Sequence, residues 1–124
     1  QAGARKKPER VEGTLSCELP KTLVKTNDIH ITSKRNFDCF QDTELDMLLK
    51  RTLNVKNIII CGVNTDTCVY GTTFGASNRG YNPIVIECCT GSMRGEDQHI
   101  TALKIMSQSI AWVMKKEEIL NKLN

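Results

Sequence analysis

The residues best suited to chemistry lie in one stretch, Ile58-Ile59-Ile60-Cys61-Gly62-Val63-Asn64-Thr65-Asp66-Thr67-Cys68-Val69. An apolar run ends in Gly62, a short polar turn follows, and a segment of small residues then opens with Cys68. This is the pattern of a buried parallel strand handing over to a helix, with a thiol in the helix's first turn. Free backbone N–H groups and the positive end of the helix dipole converge there, and both favour an anionic sulfur. A cysteine nucleophile needs a way to lose its proton, a positive neighbour, and donors for the oxyanion it creates. The helix start supplies the donors. Lys34 is the candidate for the positive charge, acting on the thiol or orienting a substrate carbonyl. A base that takes the thiol proton and later protonates a departing amine, usually a histidine or a carboxylate, would complete the set.

The elements that must hold these residues alternate along the chain. Residues 29–32 alternate as a strand, and Leu45, Leu48, Leu49 and Leu53 fall on one helical face, with Thr43 and Asp46 as a capping box. Residues 55–61 are a fully apolar strand. Residues 66–79 are a helix whose Gly71, Thr72, Thr73, Gly75 and Ala76 have weak propensity, which predicts close packing on the sheet. Asn78-Arg79-Gly80 is its stop signal. A strand over 83–88, a loop over 90–95, a helix over 96–109, a short strand over 111–113 and a helix over 117–123 follow. Residues 14–26 read as a loop or one short helical turn, because Pro20 breaks anything longer. Such alternation predicts an α/β fold: three layers, a Rossmann-like parallel sheet with helices on both faces. Lys34 follows the first of these strands and Cys68 the second. Both therefore fall on the carboxyl edge, where reactive groups of such sheets collect.

Composition narrows the function classes. With 124 residues the chain is one domain at most, predicted to span 14–124 behind a basic linker over 1–13. Arg5, Lys6, Lys7 and Arg10 against Glu9 account for the whole net charge of +3, so the rest is neutral. A neutral body with a short basic end predicts no nucleic-acid partner. No apolar run approaches the roughly 18 residues of a membrane span, and the polar N-terminus is no secretory signal. Six cysteines without zinc-ligand spacing read as reduced thiols of a cytoplasmic protein that binds neither membrane nor metal.

The segments Lys34-Arg35-Asn36-Phe37-Asp38, Gly62-Val63-Asn64-Thr65-Asp66-Thr67-Cys68-Val69 and Arg79-Gly80-Tyr81, in this order and separation, resemble the isochorismatase-like cysteine hydrolases. Within that superfamily the chain is most similar to the amidohydrolases acting on ureidoacrylate, biuret and N-carbamoylsarcosine. True isochorismatases generally lack the cysteine. The resemblance implies hydrolysis of a C–N bond in a small amide, ureido or carbamoyl compound through a thioester. It makes Cys68 the nucleophile and Lys34 the catalytic lysine. It also implies a cis peptide between Val63 and Asn64, and an oxyanion hole from the N–H groups of Asn64 and Cys68. No cofactor is implied, and a homodimer or homotetramer acting on a small-molecule substrate is. The family's catalytic aspartate lies near the chain start, ahead of the region that resembles this one, and no Asp here matches it. The expectation is therefore an isochorismatase-like fold lacking its first two strands, either the C-terminal part of an enzyme or a non-catalytic interaction module.

The remaining candidates are divided between function and packing. Phe37 and Phe40 line a substrate pocket or belong to the core. Cys61 and Trp112 read as packing residues, and His99 as a local hydrogen-bonding residue at the start of its helix.

Overall fold

The structure, a computed structural model, describes residues 12–124. Residues 1–11, most of the predicted basic linker, lie outside the described residues. The chain divides into two units, Gln1–His30 and Ile31–Asn124. In the first, short 3-10 turns at Leu15–Cys17 and Lys21–Leu23 flank Pro20, which caps the second. The Lys25 N–H donates to the Asp28 carboxylate at 2.8 Å and closes the following turn.

The second unit carries helix α1 (Leu45–Met47), which continues as a π-helical turn over Leu48–Thr52. Strand β1 (Asn57–Val63) follows, then a second π-helical turn at Thr65–Val69 that leads into helix α2 (Tyr70–Asn78). Strand β2 (Asn82–Gly91), helix α3 (Glu96–Ser109), strand β3 (Trp112–Met114) and helix α4 (Lys116–Leu123) complete it. The sheet is parallel throughout in the order β1-β2-β3, with helices on both faces. Its pairing runs from Asn57↔Asn82 to Ile60↔Val85, then shifts so that Gly62 faces Thr90 and Val63 faces Gly91.

One face holds the main core: Ile60, Val85, Val69, Ala76, Ala102, Leu103 and Met106, together with Phe40 and Tyr81. On the other face Ile86 and, in α4, Ile119 are buried. Helix α2 ends where expected. Gly80 takes φ +84°, its N–H donates to the Ser77 carbonyl at 3.0 Å, and the Tyr81 N–H donates to the Ala76 carbonyl at 3.1 Å. This is the paired C-terminal motif that a left-handed glycine permits.

Four sequence expectations are corrected. Residues 28–35 have no regular structure, so the strand predicted at 29–32 is absent. Alternation supplies a face but not a ladder partner, and β1 pairs only with β2 among the described residues. The capping box at Thr43 does not form. The Thr43 hydroxyl instead donates to the Cys39 carbonyl at 2.6 Å, and Asp46 accepts from the Tyr81 hydroxyl at 2.7 Å and pairs with Lys50 at 3.2 Å. Burial and that carboxylate push the Tyr81 hydroxyl up to about 12. Strand β1 is not buried on both faces, and Ile59 and Cys61 are exposed. Trp112 pairs with Ile84 on the outer strand β3 and remains 71% exposed.

Candidate active site

Strand β1 runs out at Val63, and the Val63–Asn64 peptide bond that follows is cis. The Asn64 carbonyl then accepts from the N–H groups of Thr67, at 3.2 Å, and Val69, at 3.0 Å. The second of these spans five residues, so the helix start predicted at 66 opens as a wide π turn before tightening into α2. Cys68 lies within this turn, half-buried, at the carboxyl end of a parallel strand.

Three consecutive side chains hold the turn from one side. The Asn64 amide oxygen accepts from the Met93 N–H at 3.0 Å. The Thr65 hydroxyl, fully buried, bonds the His99 Nδ1 at 2.7 Å. The Asp66 carboxylate accepts from the Ser92 hydroxyl at 2.7 Å and pairs with Arg94 at 3.1 Å. The loop between β2 and α3 and the first turn of α3 are thus bonded to the segment carrying Cys68. None of these bonds uses the cysteine side chain.

Asp66 is the charged member of this latch, and its side chain is 8% exposed. The Ser92 hydrogen bond, then a backbone hydrogen bond and the Arg94 charge, hold its carboxyl below the usual carboxylate range. A carboxyl lowered on folding stabilises above its unfolded value, about pH 4, and loses that contribution as pH falls through the folded value. Asp66→Asn should therefore cost about 1–2 kcal/mol near neutrality, discounted because Arg94 is mostly exposed. Denaturant unfolding of both proteins checks this, and the gap between them should close as the pH is taken from about 6 towards 3.

Lys34 lies outside any strand and follows none, contrary to the strand prediction. It lies exposed in an irregular segment, where the Arg35 guanidinium donates to the Thr32 and Lys34 carbonyls at 2.8 and 3.0 Å. The next residues dock on α2. Thr72, one turn past Cys68, donates from its hydroxyl to the Phe37 carbonyl at 3.3 Å and accepts from the Cys39 N–H at 3.2 Å. Asp38 bonds the Phe40 N–H at 2.8 Å and pairs with Arg79 at 3.2 Å. The lysine segment and the cysteine turn are therefore anchored to the same helix, with no hydrogen bond between Lys34 and Cys68 among the described residues.

This docking also explains the small residues of α2. A Cβ at Gly71 would meet the backbone of Phe37 and Asp38, and one at Gly75 would press into the Asp38 carboxylate. Gly71 and Gly75 admit the loop, while Thr73 and Ala76 face the core, so the sheet accounts for only part of the pattern. Gly75→Ala should displace Asp38 from Arg79. Overpacking costs about 1–3 kcal/mol, against about 1 kcal/mol gained in helix propensity, so the net loss should be up to about 2 kcal/mol. Urea denaturation measures it, and Asp38→Ala in the same background should recover part of the loss.

Phe40 is corrected from pocket candidate to core. It is 4% exposed, its ring stacks on Tyr81 at 5.6 Å, and the Arg79 guanidinium lies 5.0 Å from its centroid. Phe37 is 58% exposed. Cys39 lies beside the Lys34 charge, yet burial, with Asp38 adding to it, pushes its thiol up and outweighs Thr72 and Lys34. It is thereby a poor competitor for nucleophilic chemistry. The sequence missed Asp38, Asp66, Ser92, Arg94 and the side chain of Asn64. Only Asp66 carried a local signal, an acidic residue in a helix's first turn.

Compared with known families, residues 1–118 match the Isochorismatase domain. An isochorismatase family protein of Escherichia coli O157:H7, YecD, is 33% identical over 97 residues, covering 78% of this chain and 50% of that protein. Among solved structures, an isochorismatase-like hydrolase from Alkaliphilus metalliredigens is 27% identical with a TM-score of 0.84, over 92% of this chain and 62% of that one. The nicotinamidase SaPncA of Staphylococcus aureus is 35% identical with a TM-score of 0.62, over 66% of this chain and 50% of that one. The chain spans half the length of the Escherichia coli relative.

Proposed function

The chain belongs to the isochorismatase family, and from that premise we propose that the protein hydrolyses the C–N bond of a small amide, ureido or carbamoyl compound. The observation that carries this is the placement of Cys68, in the turn that follows the cis Val63–Asn64 bond at the carboxyl end of β1. The likeness to a nicotinamidase supports an amide among the substrates.

In the proposed reaction the Cys68 sulfur attacks the substrate carbonyl carbon. The C–S bond forms, and the oxygen takes the electron pair of the C=O bond. The N–H groups of Asn64 and Cys68 hold that oxyanion, and Lys34 supplies positive charge beside the reacting carbonyl. The C–N bond then breaks, and ammonia or an amine leaves with the proton that the thiol gave up. Water attacks the thioester, releases the acid and restores the thiol. Two carboxylates of these segments are committed elsewhere, Asp66 to Ser92 and Arg94, and Asp38 to Arg79. We therefore assign the proton transfer to a carboxylate of the whole protein outside the described residues. The substrate is a small molecule, and the assembly a homodimer or homotetramer.

Ammonia release from nicotinamide, biuret, a ureido acid and N-carbamoylsarcosine tests the proposal. Turnover of at least one of them, with a thioester adduct on the Cys68 peptide by mass spectrometry, is the expected result. A non-catalytic interaction module is the alternative, favoured by the commitment of Asp66 and Asp38 to other partners. Alkylation kinetics separate the two: a module should carry a Cys68 thiol no more reactive than a free cysteine.

A further inference from the structure

We propose that Cys61 and Cys89 form a redox-responsive thiol pair, which a hydroperoxide converts to an intrachain disulfide joining the carboxyl ends of β1 and β2. Its basis is the register of the sheet. After the shift at Ile60, Gly62 faces Thr90 and Val63 faces Gly91, so Cys61 and Cys89 each immediately precede the first pair of the shifted register. Neighbouring strands stand about 4.7–4.9 Å apart, which brings residues flanking one ladder pair near each other across the sheet. A disulfide accepts Cα separations of about 4.4–6.8 Å, a range that residues flanking one ladder pair on neighbouring strands can meet.

The thiols are near enough to act on one another: partial desolvation, then Cys89 and Cys88, push the Cys61 thiol up. Both residues are exposed, so an oxidant has access to them. The neighbouring Cys88 borders a cavity of about 370 Å³ that His99 and Lys115 also line. That gives Cys88 a different setting and makes Cys89 the partner. Among the described residues no group of three or more His, Cys, Asp or Glu side chains could hold a metal ion, so this cluster is no metal site.

The oxidation balances. One thiol attacks the hydroperoxide, the O–O bond breaks, and a sulfenic acid forms as an alcohol or water leaves. The second thiol then attacks that sulfur, the S–S bond forms, and water departs. Two thiols lose one hydrogen each, and the hydroperoxide accepts the two electrons. The bridge would fasten β1 three residues before Asn64 and β2 three residues before Ser92, at the two segments that the Asp66 latch joins.

The test uses the full chain carrying Cys68→Ala, which keeps a separate reactive thiol out of the count. The folded protein is titrated with hydrogen peroxide, its remaining thiols are alkylated in denaturant, and its peptides are mapped by mass spectrometry. A Cys61–Cys89 cross-link that dithiothreitol reverses, with a raised Tm in the oxidised form, is expected. Cys61→Ser and Cys89→Ser should each lower the cross-link yield at least about tenfold, and Cys88→Ser should leave it within about twofold; circular dichroism verifies that each variant is folded. A cross-link through Cys88, a bond between chains, stable sulfinic acids at these positions, or two thiols that stay reduced would overturn the proposal.

Discussion

Replacing Cys68 by alanine should lower the hydrolytic rate by at least about 10⁴-fold and leave the unfolding midpoint nearly unchanged. The two halves of this result come from different atoms. The turn is held through the carbonyl and amide of Asn64, the hydroxyl of Thr65 and the carboxylate of Asp66. Losing the half-buried sulfur removes none of those bonds, so the geometry around the site should survive it. What disappears is the only atom of the turn that forms a covalent intermediate in the proposed reaction. Initial rates of ammonia release at saturating substrate, beside a denaturant melt of each protein, measure both halves. Cys39→Ala is the control, because burial keeps that thiol protonated and its loss should spare the rate. A Cys68→Ala protein with unchanged turnover would move the nucleophile elsewhere and take the thioester mechanism with it.

The second large effect belongs to a residue that touches no substrate. Phe40→Ala should destabilise the second unit by about 3–5 kcal/mol, a large part of the roughly 5–15 kcal/mol that holds a domain together. Phe40 packs against the Tyr81 ring and the Arg79 guanidinium and belongs to the same buried cluster as Ile60 and Val85. Its removal leaves a cavity beneath a loop that is bonded to Thr72 and Arg79 and seated on Gly71 and Gly75. Lys34 lies at the head of that loop, so its position depends on an aromatic anchor six residues away. Phe40→Leu, which keeps apolar volume, should cost well under half as much. Urea unfolding of both variants checks the order. Similar losses in both would mean that the loop is held by its polar bonds rather than by the ring.

Much of this arrangement was legible before any coordinates. The helix at 96–109 was found to the residue from its apolar positions, of which Leu103 and Met106 are buried and Ile100 and Ile105 exposed. The strands of the sheet and the glycine that ends α2 were legible for similarly local reasons. The turn carrying Cys68 was visible as a change from apolar strand to small-residue helix, a property of neighbours in the chain.

What escaped had long-range causes. Residues 29–32 alternate like a strand, but a strand exists only where another supplies a ladder. Thr43 and Asp46 have capping-box spacing, yet the Tyr81 hydroxyl, 35 residues away from Asp46, takes the carboxylate. Gly71 and Gly75 looked like contacts to the sheet and proved to be the seat of the loop behind Lys34.

By itself, then, the sequence determined the α/β alternation, the position of Cys68 at a strand-to-helix turn, and the family motifs around it. These depend on periodicity and on residues adjacent in the chain. Only the tertiary structure decided that Asp66 is committed to Ser92 and Arg94, that Phe40 is core, and that Lys34 arrives by a loop docked on α2. It alone brought Cys61 and Cys89 to the two sides of one ladder pair, Gly62 and Thr90. The physical reason is common to all four: each is a pairing between groups far apart in sequence, and a pairing is specified only when both partners have been brought to one place.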